Sequence, residues 1–178
     1  DSWAHKGMDY SVLFGPMSGV GNDLFDPDGM TTRAMLVSIL YRMAGEPDVS
    51  ELPETPFEDV GPDAWYADAV RWAYANEVAA GMDDTHFAPD DHLTRAQLVT
   101  MLYRAYGPEK DVRPRPIGGY TDWNTVPEWA YPAATWAVSM GLLYGTSSSQ
   151  LSPNAGANRA QLAAFMMRAC ELQSELDS

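Results

Sequence analysis

The feature that most constrains this chain is that it contains three copies of one unit. The segment AWYADAVRWAYANEVAAGMDDTHFAPDDHLTRAQLVTMLYRAYG begins at residue 64. It is preceded by SWAHKGMDYSVLFGPMSGVGNDLFDPDGMTTRAMLVSILYRMAG and followed by EWAYPAATWAVSMGLLYGTSSSQLSPNAGANRAQLAAFMMRACE. Aligned without gaps, Trp3, Trp65 and Trp129 coincide, as do Gly19, Gly81 and Gly145, and Pro27, Pro89 and Pro153. So do Arg33, Arg95 and Arg159, and Arg42, Arg104 and Arg168, each set stepping by 62 and then 64 residues. Five registers that agree on one offset define a repeat, and a repeat this short cannot bury its apolar surface alone.

Within a unit the pattern reads helix, loop, helix. In unit 2, Trp65, Ala69, Trp72 and Ala73 share one helical face, with Asp68 and Arg71 on the other. Asp63 is the expected N-cap of this helix and Gly81 its expected stop. The loop MDDTHFAPDDH carries Phe87, matched by Phe25 and Leu151, as a plug into the core. Thr94 with Gln97 predicts a capping box at the second helix. Asn158 with Gln161 repeats it, and Thr32 with Met35 keeps half. The short segments FEDV (57–60) and GYTDW (119–123) read as brief extended pieces. The stretches between units, EPDVSELPETP and PEKDVRPRPIGG, are rich in proline and charge, as exposed connectors are. These readings divide the chain into unit 1 (1–45, without the acidic opening segment), a linker (46–56), unit 2 (57–107), a linker (108–118), unit 3 (119–172) and a tail (173–178). The fold class is mainly α, with the three units pooling their helices in one core.

The composite F-x-D-V, W-Y-x-x-A-V, G-x-x-x-x-x-F-x-P, T-R-A-Q and L-Y-R resembles the S-layer homology (SLH) domain, in three tandem copies over nearly the whole chain. The resemblance implies a monomeric pseudo-trimer: a pseudo-threefold spindle of three prongs around a central three-helix bundle. It also implies non-covalent anchoring of a bacterial surface protein, outside the cell, to a cell-wall glycopolymer such as a pyruvylated secondary polymer. Binding would occur in grooves between prongs, without a cofactor. Carried over by position, the ligand-binding residues would be Arg33, Arg95 and Arg159, the acids Asp59 and Asp122, and the aromatics Trp3, Trp65 and Trp129. Unit 1 departs from the pattern in lacking the acidic segment and in having Met35 where Glu or Gln is usual. Unit 3 departs in having Asn158 for Thr.

The arginines pose a problem of their own. On a wheel of about 100° per residue, Leu98, Val99, Leu102 and Tyr106 lie within about 60° of Arg95, and Arg104 lies opposite. An inward guanidinium needs a partner, because an uncompensated buried charge is costly. One answer pairs it with a structural carboxylate such as Asp59 or Asp122. The other turns it toward a groove, where its fork meets a ligand carboxylate and helix-start N–H groups add to the anion site. The outward set, Arg42, Arg104 and Arg168, reads as solvated. The tryptophans suit either a sugar-stacking face or a groove wall.

Charge excludes other partners. The chain carries −14 from 25 acids and 11 bases, and non-specific nucleic-acid binding relies on a basic surface. Docking on an anionic membrane is disfavoured likewise, and no apolar run approaches the ~20 residues that span a bilayer. No basic-then-apolar leader is visible in the sequence. The single cysteine, Cys170, excludes an internal disulfide and a multi-cysteine metal site. His86 and His92 stand beside acids, but the other units do not repeat them, and DPDG lacks calcium-loop spacing; no metal site is expected. No nucleophile motif and no recurring carboxylate pair is present, so no enzymatic activity is expected. Two alternatives to glycopolymer anchoring are capture of amine-bearing peptidoglycan by the groove acids and protein–protein assembly at the surface.

Overall fold

Thr94 fixes where the second helix of unit 2 begins. Its hydroxyl accepts the Gln97 N–H at 3.2 Å, and Gln97 Oε1 accepts the Thr94 N–H at 2.9 Å. Two donors that helix geometry leaves without partners are thereby satisfied. Asn158 and Gln161 make the same reciprocal pair at 2.8 and 3.3 Å. Thr32 keeps one half, accepting the Met35 N–H at 3.3 Å.

The structure, a computed structural model, describes residues 28–107, 117 and 119–176. Its α-helices are α1 (Arg33–Met43), α2 (Ala67–Ala75), α3 (Arg95–Tyr106), α4 (Tyr131–Ser139) and α5 (Arg159–Leu176). Two 3-10 turns, Trp123–Thr125 and Glu128–Ala130, lead into α4. Among the described residues the chain is mainly helical, with isolated bridges in place of strands. The segment expected to form the first helix of unit 1, with Trp3, Gly19 and Phe25, lies outside the described residues.

The helices pack across unit boundaries. α1 of unit 1 lies against α2 of unit 2, α3 of unit 2 lies against α4 of unit 3, and α1 also meets α3. Leu36, Val37 and Leu40 of α1, Val99 and Leu102 of α3, and Leu162 and Met166 of α5 are fully buried, with Phe87 and Leu151 plugged beside them. Units 1 and 2 therefore each bury their second helix against the first helix of the next unit.

Two cycles of backbone hydrogen bonds bind the units at the mouths of the second helices. The Thr31 N–H donates to Ala157 O (2.9 Å), the Ala157 N–H to Leu93 O (2.8 Å), and the Leu93 N–H to Thr31 O (2.9 Å). These positions are related by the repeat steps of 62 and 64. One step along, the Arg33 N–H donates to Asp91 O (3.0 Å), the Arg95 N–H to Ala155 O (2.9 Å) and the Arg159 N–H to Gly29 O (2.9 Å).

Several local expectations need correction. α2 starts at Ala67 after Tyr66, whose side chain makes no cap bond, so Asp63 is not the N-cap. It ends at Ala75, and Glu77 then turns left-handed (φ 57°), so Gly81 is not the stop. Gly81 is needed for close approach: a Cβ there would stand 2.4 Å from Asp83 O and 2.6 Å from Phe57 Cε1. At Gly145 a Cβ would stand 2.4 Å from Gln150 O and 2.5 Å from Tyr120 Cε1. Only glycine lets this loop fold onto the aromatic ring.

The segments 57–60 and 119–123 are turns where extended pieces were expected, because their carboxylates bend back to grip the loop. The linker 46–56 is partly docked: Val49 is buried, Tyr41 donates to Pro47 O (2.8 Å), and Arg71 reaches the Leu52 and Pro53 carbonyls. Trp65, placed by periodicity on the buried face of its helix, is 61% exposed and precedes the helix.

Candidate functional site: two clefts between units

The acids come first, because they shape what the arginines meet. Asp59 Oδ1 and Oδ2 accept the N–H groups of Phe87 (2.8 Å) and Ala88 (2.7 Å). Asp122 does the same for Leu151 and Ser152, both at 2.8 Å. Ala88 (φ 57°) and Ser152 (φ 53°) are left-handed, a conformation that costs a residue with a Cβ about 1–2 kcal/mol. The carboxylate clamp holds the loop in that shape. The two N–H bonds pull the Asp122 carboxyl below its ordinary pKa, with the Arg95 charge adding a little.

The same loop offers its carbonyls to the arginine of the preceding unit. Arg33 Nε donates to Phe87 O at 2.7 Å and Nη2 to Ala80 O at 2.6 Å, with Cζ 4.5 Å over the Phe87 ring. Arg95 Nε donates to Leu151 O at 3.1 Å and Nη2 to Tyr144 O. So one residue, Phe87 or Leu151, is held through its N–H by an acid and through its carbonyl by an arginine. The expected direct ion pair with Asp59 or Asp122 is therefore not made: the carboxylates are already engaged by two N–H groups each.

Arg33, Arg95 and Arg159 are buried, with only 4%, 6% and 5% of their surface exposed. Burial works against the charge of Arg33, and the nearby Asp91 and Asp59 offset part of that cost. For Arg95 burial again dominates, opposed by Tyr120 and Asp122. Guanidinium stays protonated through such shifts. Among the described residues the Nη1 atoms of Arg33 and Arg95 make no hydrogen bond, and both side chains line a cleft.

Cleft 1 is a cavity of about 150 Å³ lined by Arg33, Ala80, Gly81, Gln97, Arg104 and Trp129, among others. Cleft 2, of about 140 Å³, is lined by the positions one repeat on, including Arg95, Tyr144, Gly145, Gln161, Phe165 and Arg168. The problem of two opposed arginines on α3 is resolved here. Arg95 serves cleft 2 and Arg104 serves cleft 1, so opposite faces of one helix feed neighbouring sites.

Of the other expected site residues, Trp129 is 53% exposed and lines cleft 1, while Trp65 lines neither cleft. Asp59 and Asp122 line neither cleft and act through the loop. Arg159 is placed at the junction with Gly29, and Trp3 lies outside the described residues. Sequence reasoning missed Arg168, which is half-buried and held by partners: Nη1 donates to Leu142 O at 3.3 Å and Cζ lies 4.4 Å over the Tyr144 ring. It also missed Gln97, Gln161 and the two glycines as cleft walls, although all four sit in repeated registers.

The S-layer homology domain model matches residues 56–99 and 119–163, half of the chain. An endoglucanase of a Bacillus species is 31% identical over 80% of this chain, and the chain spans 15% of that protein. The surface-layer 125 kDa protein of Lysinibacillus sphaericus is 29% identical over 95% of the chain, which spans 14% of it. The cellulosome-anchoring protein of Acetivibrio thermocellus is 24% identical over 87%, and the chain spans 35% of it. The chain is thus similar to a fraction of each of these longer proteins.

Proposed function

The chain belongs to the S-layer homology domain family, and from that premise we propose that it anchors a longer protein to the bacterial cell wall by binding an acidic glycopolymer in the clefts between units. Membership in a family of surface-layer and cell-surface proteins sets its place at the cell surface. The enzyme names among its relatives belong to proteins of which this chain covers a small part, so this module is read as a binding element and not a catalyst. We read the hydrogen-bond cycles as the head of a three-prong spindle, in which the second helices form the central bundle and the first helices and loops form the prongs.

One observation carries the ligand proposal. Arg33 and Arg95 each spend Nε and Nη2 on backbone carbonyls, leave Nη1 without a hydrogen bond among the described residues, and line a cleft. Two carbonyl bonds fix the plane of each guanidinium before a ligand arrives, so binding a carboxylate, such as a pyruvate ketal, costs little further ordering. Charge-assisted bonds in a partly desolvated cleft are the strong kind. The acids favour this reading over capture of an amine, since both oxygens of Asp59 and of Asp122 are engaged by loop N–H groups.

The test is sedimentation with purified walls before and after extraction of secondary polymers. The chain is expected to co-sediment with intact walls and to stay in solution with extracted ones. An Arg33→Gln, Arg95→Gln double variant, shown to be folded by its melting curve, is expected to lose at least 90% of binding. Equal binding to extracted walls would overturn the proposal, as would full binding by the double variant.

A further inference from the structure

Resting on that reading, a difference between the two clefts extends it. Beside cleft 1 lies a second cavity of about 410 Å³, lined by Tyr74, Asn76, Glu77, Ala79, Ala80 and Arg104. Ala80 and Arg104 belong to both cavities, so the two chambers adjoin. The outer chamber is within the size range of small-molecule sites. It offers one aromatic ring, one amide, one carboxylate and one guanidinium, groups that can stack on a sugar face and exchange hydrogen bonds with its hydroxyls. Arg104 is exposed and makes no hydrogen bond or ion pair among the described residues.

Of these residues cleft 2 keeps only the arginine, as Arg168. At the positions one repeat on, Tyr74 becomes Val138, Asn76 becomes Met140, Glu77 becomes Gly141 and Ala79 becomes Leu143. Ala80 becomes Tyr144, whose ring stacks on Arg168, and Arg168 is also tied to the Leu142 carbonyl. The arginine that stands free in cleft 1 is occupied in cleft 2.

We propose that cleft 1 carries an outer saccharide subsite, built from Tyr74, Asn76, Glu77 and Arg104, that takes the uncharged sugar next to the acidic one held at Arg33, and that cleft 2 has no such subsite. Cleft 1 then grips two successive residues of the polymer and cleft 2 grips one. Glu77 at the lip suits this division, because it accepts from sugar hydroxyls and repels a second acid.

Calorimetry with two probes tests it: a pyruvate-ketal monosaccharide, and wall glycopolymer fragments of two or more residues carrying that ketal. Transplanting the lip of cleft 2 (Tyr74→Val, Asn76→Met, Glu77→Gly) is expected to weaken fragment binding about tenfold and leave the monosaccharide within twofold. Glu77→Gly alone relieves a left-handed residue and so keeps the fold; a loss of roughly threefold is expected for fragments only. Arg104→Gln is expected to cost tenfold or more on fragments, and Arg168→Gln less than twofold. If wild type binds neither probe, the cell-wall reading falls and the subsite with it. If wild type binds both, and the transplant weakens neither or both equally, the outer subsite alone falls.

Discussion

Clefts 1 and 2 share a floor and differ at the rim. The floor is the clamp described above: an acid on two loop N–H groups, an arginine on two loop carbonyls, a glycine beneath an aromatic ring. Its geometry agrees between units to a few tenths of an ångström. The rim differs at every position from 74 to 80, and only Val78 and its counterpart Leu142 keep the same character, both aliphatic and buried. The same repeat thus holds its backbone contacts fixed while its exposed residues vary, as expected when folding constrains the first and ligand the second.

The largest effect expected from disturbing the floor is at the glycines. Gly81→Ala and Gly145→Ala should each cost about 3 kcal/mol, because the nearest obstacles are backbone oxygens that cannot move aside. Equal losses in chemical denaturation would establish that the two floors are energetically alike; a large inequality would break the comparison.

A smaller loss is expected for Asp122→Asn, whose amide can accept only one of the two loop N–H groups, and it should lower the melting temperature by a few degrees. Its pH dependence carries the sign. A carboxyl held below its ordinary pKa stabilises fully above the unfolded value, and that contribution fades as pH falls through the lower folded value. The gap between Asp122→Asn and wild type should therefore be full at pH 7 and shrink below about pH 4. A gap independent of pH would sink the clamp as its source.

The smallest effects concern the equivalent left-handed turns after α2 and α4, Glu77 (φ 57°) and Gly141 (φ 67°). Glu77→Gly should stabilise by about 0.5–1 kcal/mol and Gly141→Ala should destabilise by about 1 kcal/mol, since only glycine is at ease there. Opposite signs in thermal melts would sharpen the contrast between a turn set by backbone ease and one that retains a side chain at a strain cost.

Most of the second helices was legible in the sequence, because capping boxes and apolar stripes are local signals: Thr94 with Gln97 and Asn158 with Gln161 read directly as helix starts. The first helices were misread at both ends. Trp65 obeys the helical period yet sits in the turn before α2, and Gly81 looks like a stop because nothing nearby reveals the Phe57 ring it accommodates. The inward arginines were recognised, but not their partners, since a backbone carbonyl leaves no mark in a sequence. Arg104 and Arg168 look identical in the repeat; Tyr144, 24 residues before Arg168, and the Leu142 carbonyl occupy Arg168, while Arg104 has no such partner among the described residues.

The cycle through Thr31, Leu93 and Ala157 has a consequence for how many units the chain can hold. A linear stack of repeats can lengthen by adding a member at either end, and it can begin to order before its last member is made. Here the last member hydrogen-bonds the first, leaving no open valence for a fourth. The Thr31–Ala157 link joins residues 126 positions apart, which makes closure a slow, long-range step that waits until the third unit has been made.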